Sequence, residues 1–281
     1  MEQPADRTDE GLSRQVLVLV DPLARRTDGE SVRIAKDVLC AGAAARVCLP
    51  EGPEEFAKAL ARRGARRPVV IGDDRALLRA VSLLHREREL SAAVLSMIPV
   101  GGAVSLARSL GIPSGAVAAA RAALDGSERR LDLLVDDSDG VVLGELRIPP
   151  LTQHPPGADG AAHPWLRTCR SLVRTLAPRP ARPTGQEPGP PAHLRIEADG
   201  RTVLDLDQPV RHVSVGPATG TGLARLEIHH TPDAPPLRAS ARTITVTGPD
   251  FRYRTDTVAI AGPVRRRMWT VRVGAWGLAL P

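Results

Sequence analysis

Three apolar runs constrain this chain more than any other feature: Gln15 to Val20 (QVLVLV), Pro68 to Ile71, and Ala92 to Ile98. A strand with no polar face must be covered on both sides, which points to a parallel sheet sandwiched between helices. The segments between these runs supply those helices. Ser31 to Leu39 places Val32, Ala35, Val38 and Leu39 on one side, and Ala45 to Leu49 reads as a further short strand. Glu54 to Arg63 has an acidic first turn and a basic last turn, as the helix dipole favours, with Gly64 just past its end. Leu77 to Arg88, Ser105 to Leu110 and Ala116 to Leu124 complete the helical set, the last ended by Gly126. Strands alternating with helices predict a doubly wound α/β fold.

Beyond Leu131 the pattern changes. Leu131 to Val135 and Val141 to Ile148 flank Asp136-Asp137-Ser138-Asp139-Gly140, whose Asp-Gly pair signals a hairpin. Trp165 to Leu176 has a helical pattern, and Ala177 to Ala192 is rich in Pro, Gly and Arg, the composition of an exposed loop. From His193 onward short alternating runs recur without a helix between them, predicting an antiparallel β-sandwich. The expected organisation is a disordered start over residues 1–13, an α/β domain over 14–132, and a β-sandwich domain over 133–281 containing the loop at 177–192.

Apolar residues make up 42% of the 281 and aromatics only 2%, so aliphatic side chains must fill the core. The first ten residues are polar and acidic, and no apolar run is long enough to cross a bilayer, so the expectation is a cytoplasmic protein. The net charge is +6, yet only Lys36 and Lys58 are lysines. That arginine bias, with heavy Ala, Gly and Pro use, is the imprint of a GC-rich genome. A nucleic-acid surface would interleave basic and aromatic residues, and none does, so no nucleic-acid partner is expected. The dense cluster Arg265-Arg266-Arg267 beside Met268 and Trp269 has the chemistry for peripheral contact with an anionic membrane, or is a solvated turn leading into a strand. Cys40, Cys48 and Cys169 have neither disulfide nor zinc spacing, and the scattered histidines lack metal-ligand spacing, so no metal ligands are assigned.

Chemistry concentrates where strands end. After the third apolar run comes Pro99-Val100-Gly101-Gly102-Ala103-Val104-Ser105-Leu106-Ala107-Arg108-Ser109-Leu110-Gly111-Ile112-Pro113. A strand, a glycine turn and a helix start bring backbone N–H groups near a phosphate. This stretch resembles the P-x-G-T-G-N-D-F-A-R-x-L-G-I-P motif of the diacylglycerol kinase and sphingosine kinase family. Pro99, Gly101, Ala107, Arg108, Leu110, Gly111, Ile112 and Pro113 match, while Gly102, Ala103, Val104, Ser105 and Leu106 replace the family's Thr, Gly, Asn, Asp and Phe. The α/β half followed by a β half is also the family's layout, from roughly Gln15 to Pro281.

The resemblance implies ATP-dependent phosphorylation of a lipid alcohol, with ATP and Mg2+ bound in the cleft between the halves and lipid as partner. The family's V-N-P-x-S-G corresponds to Val20-Asp21-Pro22-Leu23-Ala24-Arg25, with Asp21 where an Asn amide would donate to phosphate. Its G-G-D-G-T corresponds to Gly72-Asp73-Asp74-Arg75-Ala76. Asp74 then stands on the catalytic Asp, or Asp73 does if the alignment slips by one. Its D-G-E corresponds to Asp256-Thr257-Val258, so Asp256 remains while the general-base Glu is a Val. The implied nucleotide contacts are Asp21, Gly72, Asp73, Arg75, Gly101 and Gly102, the implied catalytic pair is Asp74 and Asp256, and Asp132 is a weaker candidate. Two readings remain open: a lipid kinase with weak or absent catalysis, and a pseudokinase that binds ligands or proteins. In the second, Val104, Leu106 and Arg75 should fill the cleft.

Overall fold

The computed structural model describes residues 15–149, 191–231, 234–256 and 260–281. The helical pattern read at Trp165 to Leu176, most of the loop at 177–192 and the first fourteen residues lie outside them. The α/β part runs β1 (Gln15–Val20), α1 (Pro22–Thr27), α2 (Gly29–Gly42), β2 (Ala44–Cys48), α3 (Pro53–Ala61), β3 (Arg67–Gly72), α4 (Asp74–Arg86), β4 (Val94–Pro99), α5 (Ser105–Ser109) and α6 (Ala116–Asp125). The strands are parallel in the order β2-β1-β3-β4. Chain direction across the sheet reverses between β1 and β3, the switch point at which open α/β sheets leave a crevice beyond their strand ends. Alternate residues of each strand enter different cores, because successive side chains point to opposite faces. Leu17 and Leu19 join Phe56, Leu77 and Met97, whereas Val16, Val18 and Val20 join Val32, Leu39 and Ala120.

Helix α1 was not apparent in the sequence. Its six residues, PLARRT, carry no apolar stripe. It forms because Asp21 caps its first turn and Pro22 presets the helical φ, a pairing common at helix starts.

The β-rich part contains β5 (Ser127–Asp136), β6 (Val141–Val142), β7 (Leu146–Ile148), β8 (Ala192–His193), β9 (Arg195–Ala198), β10 (Arg201–Leu204), β11 (Pro209–Val210), β12 (His212–Ala218), β13 (Leu223–His229), β14 (Leu237–Ala241), β15 (Thr243–Thr255) and β16 (Ile260–Leu280). One run of antiparallel neighbours is β14-β13-β12-β7-β15, and β15 also pairs with β9 and β16. Between them lies a core of Leu146, Ile148, Val213, Val215, Leu226, Ile228, Ile244 and Trp269. The two halves share β16. Its end pairs in parallel with β4 through Gly277 and Leu278, and antiparallel with β5 along its length.

The basic cluster Arg265 to Arg267 lies inside β16 rather than in a turn. Arg265 pairs with Asp250 at 3.1 Å and Arg267 with Asp137 at 2.6 Å, and Trp269 is buried. Among the described residues, no helix is long and apolar enough to cross a membrane.

Candidate functional site

The C-terminal ends of β1, β3 and β4 meet at the switch point. The Asp21 N–H donates to the Ile71 carbonyl (2.9 Å), the Val100 N–H to the Gly72 carbonyl (2.8 Å), and the Asp74 N–H to the Ala103 carbonyl (2.8 Å). The two glycine-bearing turns therefore lie side by side. Gly72 is required there by packing: a Cβ would come within 2.7 Å of the Ala76 Cβ and 3.0 Å of the Asp21 Cβ. Gly101 has φ +118°, which glycine adopts without the steric cost other residues meet. Gly101 and Gly102 are both exposed.

The carboxylates of this crevice face inward onto the chain's own donors. Asp21 Oδ1 accepts from the Leu23 N–H at 2.8 Å, and its Oδ2 pairs with Arg79 Nη1 at 2.9 Å. Asp73 caps α4, with Oδ1 accepting from the N–H groups of Arg75 (3.0 Å) and Ala76 (3.2 Å). Those N–H groups at a helix start are the ones a phosphate would engage. The Arg75 side chain is exposed and does not enter the cleft.

Asp74 is fully buried. Its Oδ2 accepts from the Leu106 N–H (2.8 Å) and the Ser105 hydroxyl (3.3 Å), and its Oδ1 from the Ala107 N–H (2.9 Å). It thus holds the first turn of α5, the segment after the glycine pair. Where the family pattern has Asp, Asn and Phe, Ser105 donates to Asp74, Val104 is half-buried and Leu106 is buried.

Asp256 directly follows β15 and approaches the same place from the β-rich half. The Leu143 N–H donates to its Oδ2 (3.0 Å), and the N–H groups of Gly144 (2.7 Å) and Glu145 (3.2 Å) to its Oδ1. Burial pushes its carboxyl above the ordinary 3.8 and the negative charge of Asp74 adds to this, while the three backbone donors pull the other way. The structure thus brings Asp74 and Asp256 together across α5. Thr257 and Val258 lie outside the described residues.

A raised carboxyl pKa fixes the sign of a pH effect. The native state binds this proton more tightly than the unfolded chain, so the stabilisation is complete below 3.8 and is lost as pH rises through the native value. The melting temperature of the wild type is expected to fall relative to Asp256→Asn across that rise. A constant difference between the two would contradict the assignment.

The cleft between the halves has a volume of about 560 Å3. One wall is Ser105, Leu106, Ser109 and Leu110 of α5 and its end, and the other carries Arg147, Arg225 and Arg254, with Asp256 at its edge. Of Val104, Leu106 and Arg75, expected to fill the cleft, only Leu106 lines it, beside Gly144, where a Cβ would come within 2.8 Å of the Leu106 side chain. Asp132, also on the cleft, accepts from the N–H groups of Gly274 (2.8 Å) and Gly222 (3.2 Å) and so ties β16 to the β12–β13 turn. The arginine wall had no signal in the sequence, since its residues come from separate strands.

A magnesium ion and a triphosphate fit this crevice poorly. Metal binding needs several carboxylate oxygens free to face the ion. Among Asp21, Asp73 and Asp74 only Asp73 Oδ2 is without a described donor, the others being turned onto N–H groups or, at Asp21, also onto a guanidinium. Among the described residues, no three His, Cys, Asp or Glu side chains are placed to share a metal ion.

No protein-family model and no curated protein matches the sequence. Solved structures do match. A diacylglycerol kinase from Bacillus anthracis superposes with a TM-score of 0.70 at 14% identity, covering 95% of this chain and 97% of the other. A further structure from the same bacterium gives 0.71 with the same identity and coverage. An NAD kinase from Archaeoglobus fulgidus in complex with ATP reaches only 0.49 at 12% identity, covering 92% and 90%. At this identity the likeness speaks for architecture alone: the chain has a diacylglycerol-kinase-like fold.

Proposed function

We propose that this chain is a pseudokinase: a protein with the lipid-kinase fold whose cleft binds a ligand without transferring phosphate from ATP. The observation that carries this is the inward turn of Asp73 and Asp74. Their carboxylates sit on backbone N–H groups of α4 and α5 that a triphosphate would need. An internal anion already neutralises each helix start, so an incoming phosphate meets a carboxylate where it needs donors. Phosphoryl transfer rests on positioning and on cations that neutralise the transferred group. Neither is served by an exposed Arg75 or an Arg79 engaged by Asp21.

A second reading, a weak lipid kinase, has one observation in its favour. Asp256 is a buried carboxylate of raised pKa at the edge of an open cleft, the character of a general base. Its three backbone donors argue against that role, because they hold the carboxylate in place and lower its basicity.

The two readings separate in a transfer assay. Purified protein is incubated with Mg2+ and γ-labelled ATP over mixed vesicles containing diacylglycerol and sphingosine. The pseudokinase reading expects no labelled lipid above a protein-free control. Labelled lipid that disappears in Asp256→Asn would establish the second reading.

A further inference from the structure

The cleft wall facing α5 is built by strand pairing alone. Arg254 of β15 lies directly opposite Arg147 of β7, and Arg147 lies opposite Ser214 of β12. The residues flanking Arg147, Leu146 and Ile148, are buried in the core, so the arginine projects from the other face. One register step along the same face stand Gly216 and Arg225, paired across β12 and β13. Gly216 leaves the floor open between Glu145 and Arg225, and a side chain there would strike the Gly144 carbonyl oxygen at 2.4 Å.

Like charges directly opposite one another destabilise a sheet. Here three guanidiniums share one concave wall, and the carboxylate paired with them is Glu145, at 3.2 Å from Arg147. Arg225 and Arg254 make no ion pair with any described residue. The other acidic groups of the cleft, Asp132 and Asp256, accept from backbone N–H groups. By contrast Arg238, on the same face of the sheet, is paired with Glu227 at 3.1 Å. Two of the three guanidiniums are thus left without an ion-pair partner among the described residues, as planar donors suited to paired oxygens. A phosphate monoester, carrying about −1.5 to −2 near neutral pH, offers several oxygens to those two unpaired guanidiniums.

We infer that Arg147, Arg225 and Arg254 form a binding site for a phosphate monoester on the β wall of the cleft. The inference rests on the pseudokinase reading in one respect: the ligand occupies the cleft as a ligand, with no donor nucleotide beside it. The wall is separate from the glycine turns, so closure of those turns leaves it intact. The monoester is either free in solution or the headgroup of a lipid, and both present the same oxygens to the arginines.

The test compares the wild type with Arg147→Gln, Arg254→Gln and Arg33→Gln, the last an exposed arginine on α2 paired with Glu30 and Asp37. Inorganic phosphate and glycerol 3-phosphate are titrated by calorimetry. Phosphatidylcholine vesicles with and without phosphatidic acid are tested by flotation. No nucleotide is present, so phosphate transfer, the result that would defeat the pseudokinase reading, cannot be confused with this outcome. We expect binding in at least one phosphate-bearing arm, weakened about tenfold or more by either cleft substitution and unchanged by Arg33→Gln. Binding to the soluble monoesters assigns a free ligand, and binding only to vesicles containing phosphatidic acid assigns a lipid headgroup. Absence of binding in every arm overturns the inference. So does equal weakening by Arg33→Gln, which would mark general attraction to a basic protein.

Discussion

Asp74→Ala is expected to lower the free energy of unfolding by about 3 kcal/mol, because two buried N–H groups at about 1–3 kcal/mol each are left without an acceptor. Those groups belong to Leu106 and Ala107, and the Ser105 hydroxyl loses its acceptor with them. The carboxylate is fully buried, and of its three partners only the exposed Ser105 can turn to water instead. Urea denaturation with linear extrapolation reads it directly. Asp74→Asn keeps the volume but presents an amide nitrogen where one oxygen accepted, and is expected to fall between the wild type and the alanine variant. A catalytic carboxylate facing an open site behaves in the opposite way, since removing it abolishes turnover with little effect on folding. An Asp74→Ala protein as stable as the wild type would therefore contradict its role as the anchor of α5.

The second large effect is at Gly216. Its place in β12 puts the Gly144 carbonyl oxygen 2.4 Å from where a Cβ would stand, with the Glu145 Cα at 3.6 Å. The obstacle is backbone, which cannot rotate away as a flexible side chain does. Gly216→Val must push β12 from the connection between β6 and β7, the same connection whose N–H groups hold Asp256. Overpacking of this kind costs about 3 kcal/mol at the upper end of its usual range. It should also disturb the phosphate wall, because Arg147 pairs with the displaced strand at Ser214. Thermal denaturation checks the first effect and the calorimetric titration the second. A variant of unchanged stability would mean that the strand yields at little cost.

The sequence carried the α/β half because its signals are local. QVLVLV cannot be a surface strand, and the helices that cover it announce themselves by spacing and capping residues within a few positions. Helix α1 escaped because six residues with Arg25 and Arg26 show no stripe, although Asp21-Pro22 is a cap and first-turn pair. The β half was legible as alternation, yet alternation gives no pairing. Nothing near Arg147 in the chain reveals that Arg254 will lie beside it. The site was legible in part for the same reason. Asp73 and Asp74 stand out beside Gly72, but the direction of Asp74 depends on Leu106 and Ala107, which the fold brings to it from beyond β4. Leu106 is a buried apolar side chain on the cleft wall. Its contact with Gly144 joins the two halves in a way no motif encodes.

In the proposed pseudokinase the turns after β3 and β4 are closed to a triphosphate by Asp73 and Asp74. Calorimetric titration of the wild-type protein with Mg2+-ATP tests it most directly. No saturable heat that depends on the glycine turns is expected, with Asp73 and Asp74 already on the donors at the starts of α4 and α5. Saturable binding that weakens when Gly102 is replaced by Val would place a nucleotide in those turns and contradict it.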